Sequence, residues 1–229
     1  MKTSNYIAIS FLIFLFGGIF ILFLSARIDP RGSFHQEFLT QEKVLDNFSV
    51  IIAEQGAGIH LRYGQAPKMS IQYSKGDTCS LPPFTVRNDT LFVSSYSYKK
   101  KQRPVDVYCN GLKSIQEKNA AHVTIEKQFQ ADTLMVKLDN AEFSYYSEKD
   151  NSGKISLTLI ADQSKVNIGE TNFEKLEIQL NNAEMNVYNN SIGSLSGSIK
   201  NHSKLYIDTF RKINLEVDST SNYQLSKRN

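Results

Sequence analysis

Tryptophan is absent from this chain of 229 residues, proline occurs only five times and cysteine twice. Set against plentiful Asn, Ser, Val, Ile, Leu and Tyr, that balance leans toward β-structure. Charge of one sign is also scarce. The net charge is +3, too small to argue for a nucleic acid or an anionic surface as partner. Catalytic motifs with a physical signature are missing as well. No HExxH or CxxC occurs, no glycine-rich phosphate loop leads from a strand into a helix, and no GxSxG elbow is present. The four histidines, His35, His60, His122 and His202, have no partners at metal-ligand spacing. No catalytic residue, cofactor or metal is therefore expected.

Charge is missing altogether from Tyr6 to Leu24, where the chain reads YIAISFLIFLFGGIFILFL. As a helix these residues would rise roughly 28 Å, close to the hydrocarbon thickness of a bilayer. A cleaved signal peptide is the alternative. Its apolar core would exceed the usual limit of about 15 residues, and cleavage after Ala26 would set bulky Leu24 where a small residue is wanted. The expectation is one N-terminal transmembrane helix, with residues 1–25 as anchor, 26–43 as a juxtamembrane linker and membrane contact through 6–24. Lys2 on one flank against Arg27 and Arg31 on the other leans weakly against export of the body. A signal-anchor position at the extreme N-terminus leans toward it. So do the two cysteines, Cys79 and Cys109, as a candidate disulfide closing a loop of about 30 residues and adding roughly 3 kcal/mol; two unpaired thiols are the other reading. The body is expected in the periplasm of a bacterium.

From Val44 onward apolar residues alternate with polar ones. Phe48, Val50 and Ile52 do so, as do Ile59 and Leu61, Met69 and Ile71, Leu91 and Val93, and Val105 and Val107. Gly56-Ala57-Gly58, Lys75-Gly76-Asp77, Pro82-Pro83, Asn88-Asp89 and Asn110-Gly111 punctuate them. Such period-two stretches between turn residues mean short strands, each with one buried face.

From residue 134 the strands repeat. Leu134, Ile155, Leu176, Leu195 and Ile213 begin successive units 21, 21, 19 and 18 residues apart. Each unit contains a second strand: Phe143 and Tyr145, Val166 and Ile168, Met185 and Val187, Leu205 and Ile207, Tyr223 and Leu225. Two residues before each stands a small one: Ala141, Ser164, Ala183, Ser203, Ser221. A period near 20 with short strands is the pattern of a solenoid, whose units bury their apolar faces only by stacking. The fold class expected is all-β: a right-handed parallel β-helix over residues 44–229. An antiparallel sandwich is the rival, but hairpins alone would not align five columns. The small residue fits a tight corner that a large one would overpack. The next residue runs Glu142, Lys165, Glu184, Lys204, Asn222, so opposite charges would lie in register roughly 4.8 Å apart. LDNAEFSYY (138–146) and LNNAEMNVY (180–188) are then the same corner two coils apart. Their terminal Tyr146 and Tyr188 point outward roughly 10 Å from each other and are the candidate binding residues.

The strand, turn and strand of FSVIIAEQGAGIHLRYGQAPKMSIQYSKG, then FTVRNDTLFVSS, then the corners LDNAEFSYY, ADQSKVNI, LNNAEMNVY, IKNHSKLYI and DSTSNYQL carry a resemblance. The chain resembles the adhesin-head family known as the GIN domain over about residues 44–226. The family's corner glycine is replaced here by Asn, Gln, His or Thr. The resemblance implies a right-handed β-helix in the bacterial cell envelope, an adhesin-like role and no catalytic motif. The function expected is a membrane-anchored, non-enzymatic envelope interaction module with a protein or glycan partner. Two alternatives remain open: a carbohydrate-active enzyme on the same scaffold, and a stalk coupling to a membrane partner.

Overall fold

The computed structural model describes residues 3–28, 38–75, 80–95, 104–126, 131–146, 155–208 and 210–226. The chain divides into two compact units, Met1–Phe38 and Leu39–Asn229. The first holds helix α1, Thr3–Ile28, whose backbone is helical over 26 residues. Among the described residues no helix is long and apolar enough to cross a membrane.

The second unit is built of strands. They open with β1 (Phe38–Val44), β2 (Val50–Glu54), β3 (Gly58–Tyr63), β4 (Lys68–Ser74), β5 (Phe84–Arg87), β6 (Thr90–Ser94) and β7 (Val105–Cys109). There follow β8 (Ser114–Lys118), β9 (His122–Ile125), β10 (Thr133–Asp139), β11 (Glu142–Tyr146), β12 (Ile155–Asp162) and β13 (Lys165–Gly169). The series closes with β14 (Asn172–Asn181), β15 (Glu184–Tyr188), β16 (Ser191–Lys200), β17 (Lys204–Ile207), β18 (Phe210–Val217) and β19 (Asn222–Leu225). Sheet I runs β18-β16-β14-β12-β10-β8-β2-β6-β5, and sheet II runs β1-β4-β7-β3-β9-β11-β13-β15-β17-β19. Each coil contributes one strand to each sheet. Pairs between successive coils, from β6–β7 through β2–β3 to β18–β19, are parallel, which fits the solenoid and not the antiparallel sandwich.

The apolar columns stack, with one shift from the sequence reading. Leu134, Leu157, Leu176, Leu195 and Ile213 are successive register partners in sheet I, so Leu157 stands where Ile155 was expected, and Ile155 pairs with Phe173. Phe143, Val166, Met185, Leu205 and Tyr223 are the same in sheet II. The core is one continuous apolar cluster filling the space between the sheets.

Three features add to the expectation. First, the coils upstream of residue 134 join the stack out of chain order. β8 and β9 form a regular coil, and the β2–β3 coil sits inside the stack between the β6–β7 and β8–β9 coils. Spatial order therefore differs from chain order: after β3 the chain leaves, builds β4 to β7 on the outer side, then passes back over β2–β3 to start β8. Second, a further apolar column, Phe173, Ile192 and Phe210, continues each sheet I strand toward its start. It opens β14, β16 and β18 ahead of a bulge that offsets Ile155/Ser156 against Phe173/Lys175. Third, Phe38–Val44 is strand, and the compact unit begins at Leu39. β1 is exposed along its whole length, so it shows none of the burial alternation from which strands are read.

Candidate functional site

The turn from sheet I to sheet II repeats in six coils of the described residues and builds one face. The residue before each small corner residue has positive φ: Gly56 (75°), Ala120 (63°), Asn140 (49°), Gln163 (46°), Asn182 (49°) and His202 (63°). Asn tolerates this left-handed conformation better than most residues, which accounts for its recurrence. The corner backbones stack in turn, with Asn140, Gln163 and Asn182 N–H groups donating to the Asp162, Asn181 and Lys200 carbonyls of the next coil.

The small residues do more than fit. Ala141, Ser164, Ala183 and Ser203 are buried. The Ala141 N–H donates to Ser164 Oγ (3.1 Å), the Ala183 N–H to Ser203 Oγ (3.1 Å) and the Ser203 N–H to Ser221 Oγ (3.2 Å). Ser164, Ser203 and Ser221 thus each tie their coil to the one before, and only the Ser164–Ala183 step lacks such a bond among these corners. Size alone marks this column in the sequence; the hydroxyl's role follows only from the stacking.

Between the corner and the outer face of sheet II runs an open groove of about 640 Å³. Its floor is Ala121, Ala141, Ser164 and Ala183; one wall is Asn140, Gln163, Asn182 and His202; the other is His122, Glu142, Lys165, Glu184 and Lys204. The charged wall has the expected register, Glu142 opposite Lys165, Lys165 opposite Glu184 and Glu184 opposite Lys204. Glu184 is held by the Asn186 amide, which donates to its Oε1 at 3.2 Å. The wall therefore presents both signs of charge along the groove.

Tyr146 and Tyr188 share the outer face with the groove, near the far ends of their strands. Both are register partners of Gly169 in the coil between them. That glycine changes their geometry. A Cβ at 169 would lie 2.6 Å from the Tyr188 ring, so only glycine lets Tyr188 lie across the intervening coil. The ring centroids are 6.4 Å apart with planes tilted by 47°, closer than the roughly 10 Å that two stacked coils predict. The Tyr188 phenol is pushed up to about 12 by desolvation, then by its hydrogen bond to Tyr146 and the nearby Glu170 charge. The rings remain 36% and 38% exposed: a paired platform instead of two separate contacts.

Further along the same sheet, Arg62 binds both Asp106 (Nε–Oδ1 3.0 Å) and Glu126 (Nη2–Oε2 3.1 Å). His60 Nδ1 lies 3.8 Å from Asp106 and 3.7 Å from Glu126. Among the described residues no group of His, Cys, Asp and Glu could hold a metal ion. Cys109 is a free thiol, fully buried on β7, and burial pushes it up to about 12. Cys79, the other half of the candidate disulfide, lies outside the described residues, as does His35.

One residue that alternation alone could not distinguish is Glu117. It occupies an inward position of β8, in register with Ala53 and Leu138, and is fully buried. Its Oε2 accepts the Val123 N–H at 3.1 Å, while Oε1 has no hydrogen-bond partner. Burial holds its carboxyl well above the usual carboxylate range, against the lowering effect of the Val123 N–H.

No protein-family model and no curated protein matches the chain. Solved structures do resemble it. One is a candidate adhesin from Bacteroides fragilis, 14% identical with a TM-score of 0.49, covering 84% of this chain and 98% of that one. Another is a candidate adhesin from Parabacteroides merdae, 12% identical with a TM-score of 0.41, covering 84% and 98%. A third is a candidate lipid-binding protein from Parabacteroides distasonis, 13% identical with a TM-score of 0.34, covering 85% and 96%. At these identities and scores the names describe those proteins only.

Proposed function

We propose that the chain is an envelope-anchored, non-enzymatic interaction module of adhesin type, which meets a protein or glycan partner through the outer face of sheet II. The observation that carries this reading is the Tyr146–Gly169–Tyr188 platform, two half-exposed rings held in one arrangement beside the corner groove. Rigid aromatics give large contact area at low ordering cost and stack on sugar rings or apolar side chains. The groove adds repeated amide and charged groups at the spacing of the coils, suited to an extended polar ligand.

Anchoring by α1 is part of the proposal. Its support is a helical backbone of 26 residues, about 39 Å at 1.5 Å per residue, containing the uncharged stretch from Tyr6 to Leu24. The GIN-domain relation rests on the corner motif, and a right-handed winding on the hand that parallel crossovers adopt. The carbohydrate-active alternative finds less support. Asp106 and Glu126, carboxylates on the same outer face, are both tied to Arg62, whereas acid–base work needs one of a pair free to exchange a proton.

The test is binding of the purified full chain to envelope glycans and to whole cells, compared with the Tyr146→Ala/Tyr188→Ala double variant. Binding should fall by at least about tenfold, the scale of one or two aromatic contacts, with the melting temperature little changed. Undiminished binding by the double variant would overturn the assignment of this face.

A further inference from the structure

The two ends of the solenoid are finished differently. At one end β4 and β5 run antiparallel to β7 and β6, with Met69 and Ile71 buried and Phe84 and Val86 packed on the core. At the other, β18 and β19 are the last strands of their sheets, and among the described residues nothing pairs with their outer edges. Their inward residues show it: Ile213 is 39% and Tyr223 53% exposed. The register partners one coil in, Leu195 and Leu205, are buried. A terminal repeat normally carries a polar cap, and an open edge of N–H and C=O groups is a template for another strand.

The residues of β18 specify which strand fits. Asp218 N–H donates to the Ile199 carbonyl, so even-numbered residues direct their main chain at β16. The alternation of a strand then leaves the N–H and C=O groups of Ile213, Leu215 and Val217 at the open edge. A second β18 laid antiparallel about a two-fold axis at Asn214 pairs Ile213 with the other copy's Leu215 by hydrogen bonds. It also sets Lys212 opposite Glu216, twice. Both charged residues are exposed, and opposite charges directly across strands are favourable. A parallel copy in the same register would instead place Lys212 against Lys212. We infer that the C-terminal coil is a self-association surface, joining two copies of this chain end to end by antiparallel β18 pairing about Asn214. This leaves the outer face of sheet II free and does not depend on its assignment.

The experiment uses the full chain in detergent, by analytical ultracentrifugation. The wild type forms a dimer. Lys212→Glu and Glu216→Lys each weaken it by about tenfold, since the two-fold axis doubles every change, and the double reversal restores it. In a Cys79→Ser chain, Asn214→Cys cross-links on oxidation, because a non-hydrogen-bonded antiparallel pair brings Cα atoms to about 4.5 Å. Ser196→Cys, one coil inward, does not. A monomer at every concentration, association unmoved by charge reversal, or a dimer in which N214C fails to cross-link would each overturn the inference. The last two results would point to association through α1 or through another strand register.

Discussion

At the scale of single residues, the corner column sets the tightest constraint. Ala183 is buried and its N–H is held by Ser203 Oγ, so there is no room for a larger side chain between coils. Ala183→Leu should destabilise the body by about 1 to 3 kcal/mol through overpacking, read as a fall in thermal or denaturant midpoint; an unchanged midpoint would mean that the corner is not packed. Glu117 makes a different prediction, because it titrates. Its folded pKa lies above the ordinary value of 4.5, so the folded state prefers the protonated acid. The stability that this contributes is complete below pH 4.5 and drains away as pH rises through the folded value. Glu117→Gln keeps an acceptor for the Val123 N–H and removes the charge. Its melting temperature should gain on the wild type as pH rises above 4.5, until the folded value is passed, whereas parallel curves would show that Glu117 is not buried as an acid.

At the scale of elements, the coil depends on how its turns are closed. In the interior, each corner N–H bonds to a carbonyl of the next coil. At the last corner the Asp218 carboxylate takes that place, accepting the Asn201 N–H at 2.7 Å and the Thr220 N–H at 3.0 Å. Chiefly the Asn201 N–H, with the Ser221 and Thr220 groups, holds the Asp218 carboxyl well below the usual carboxylate range. A depressed folded pKa contributes stability above the unfolded value of 3.8, and that stability is lost as pH falls through the folded value. Asp218→Asn should therefore melt below the wild type at pH 7, with the gap closing as the pH approaches 2. The regular coils were legible in the sequence because each inward column repeats one residue class. Leu134, Leu176 and Leu195 carry sheet I, Ala141 and Ala183 the corner, and Asn140 and Asn182 the left-handed turn. The first third of the body was less so. β2 and β3 alternate like any strands, and nothing in their composition says that β6 and β7 pair with their outer edges. Nothing in the local sequence singles out Gly169, whose neighbours in register are Tyr146 and Tyr188. The platform is a property of register across two coils, which local pattern does not encode.

At the scale of the molecule, an apolar helix precedes a solenoid with one decorated outer face and a last coil whose outer edges are unpaired among the described residues. The outer face of sheet II meets an envelope partner only if the body stands outside the cytoplasm, which makes topology the central claim. Thiol chemistry reports on it poorly in the native state, because Cys109 is buried and its thiol is pushed up to about 12, leaving almost no thiolate near neutral pH. A topology reporter fused after Asn229 does not share that weakness. In intact cells a reporter active only outside the cytoplasm should be active, and one active only inside should be silent. The reverse result would place the body in the cytoplasm and contradict its role as an envelope interaction module.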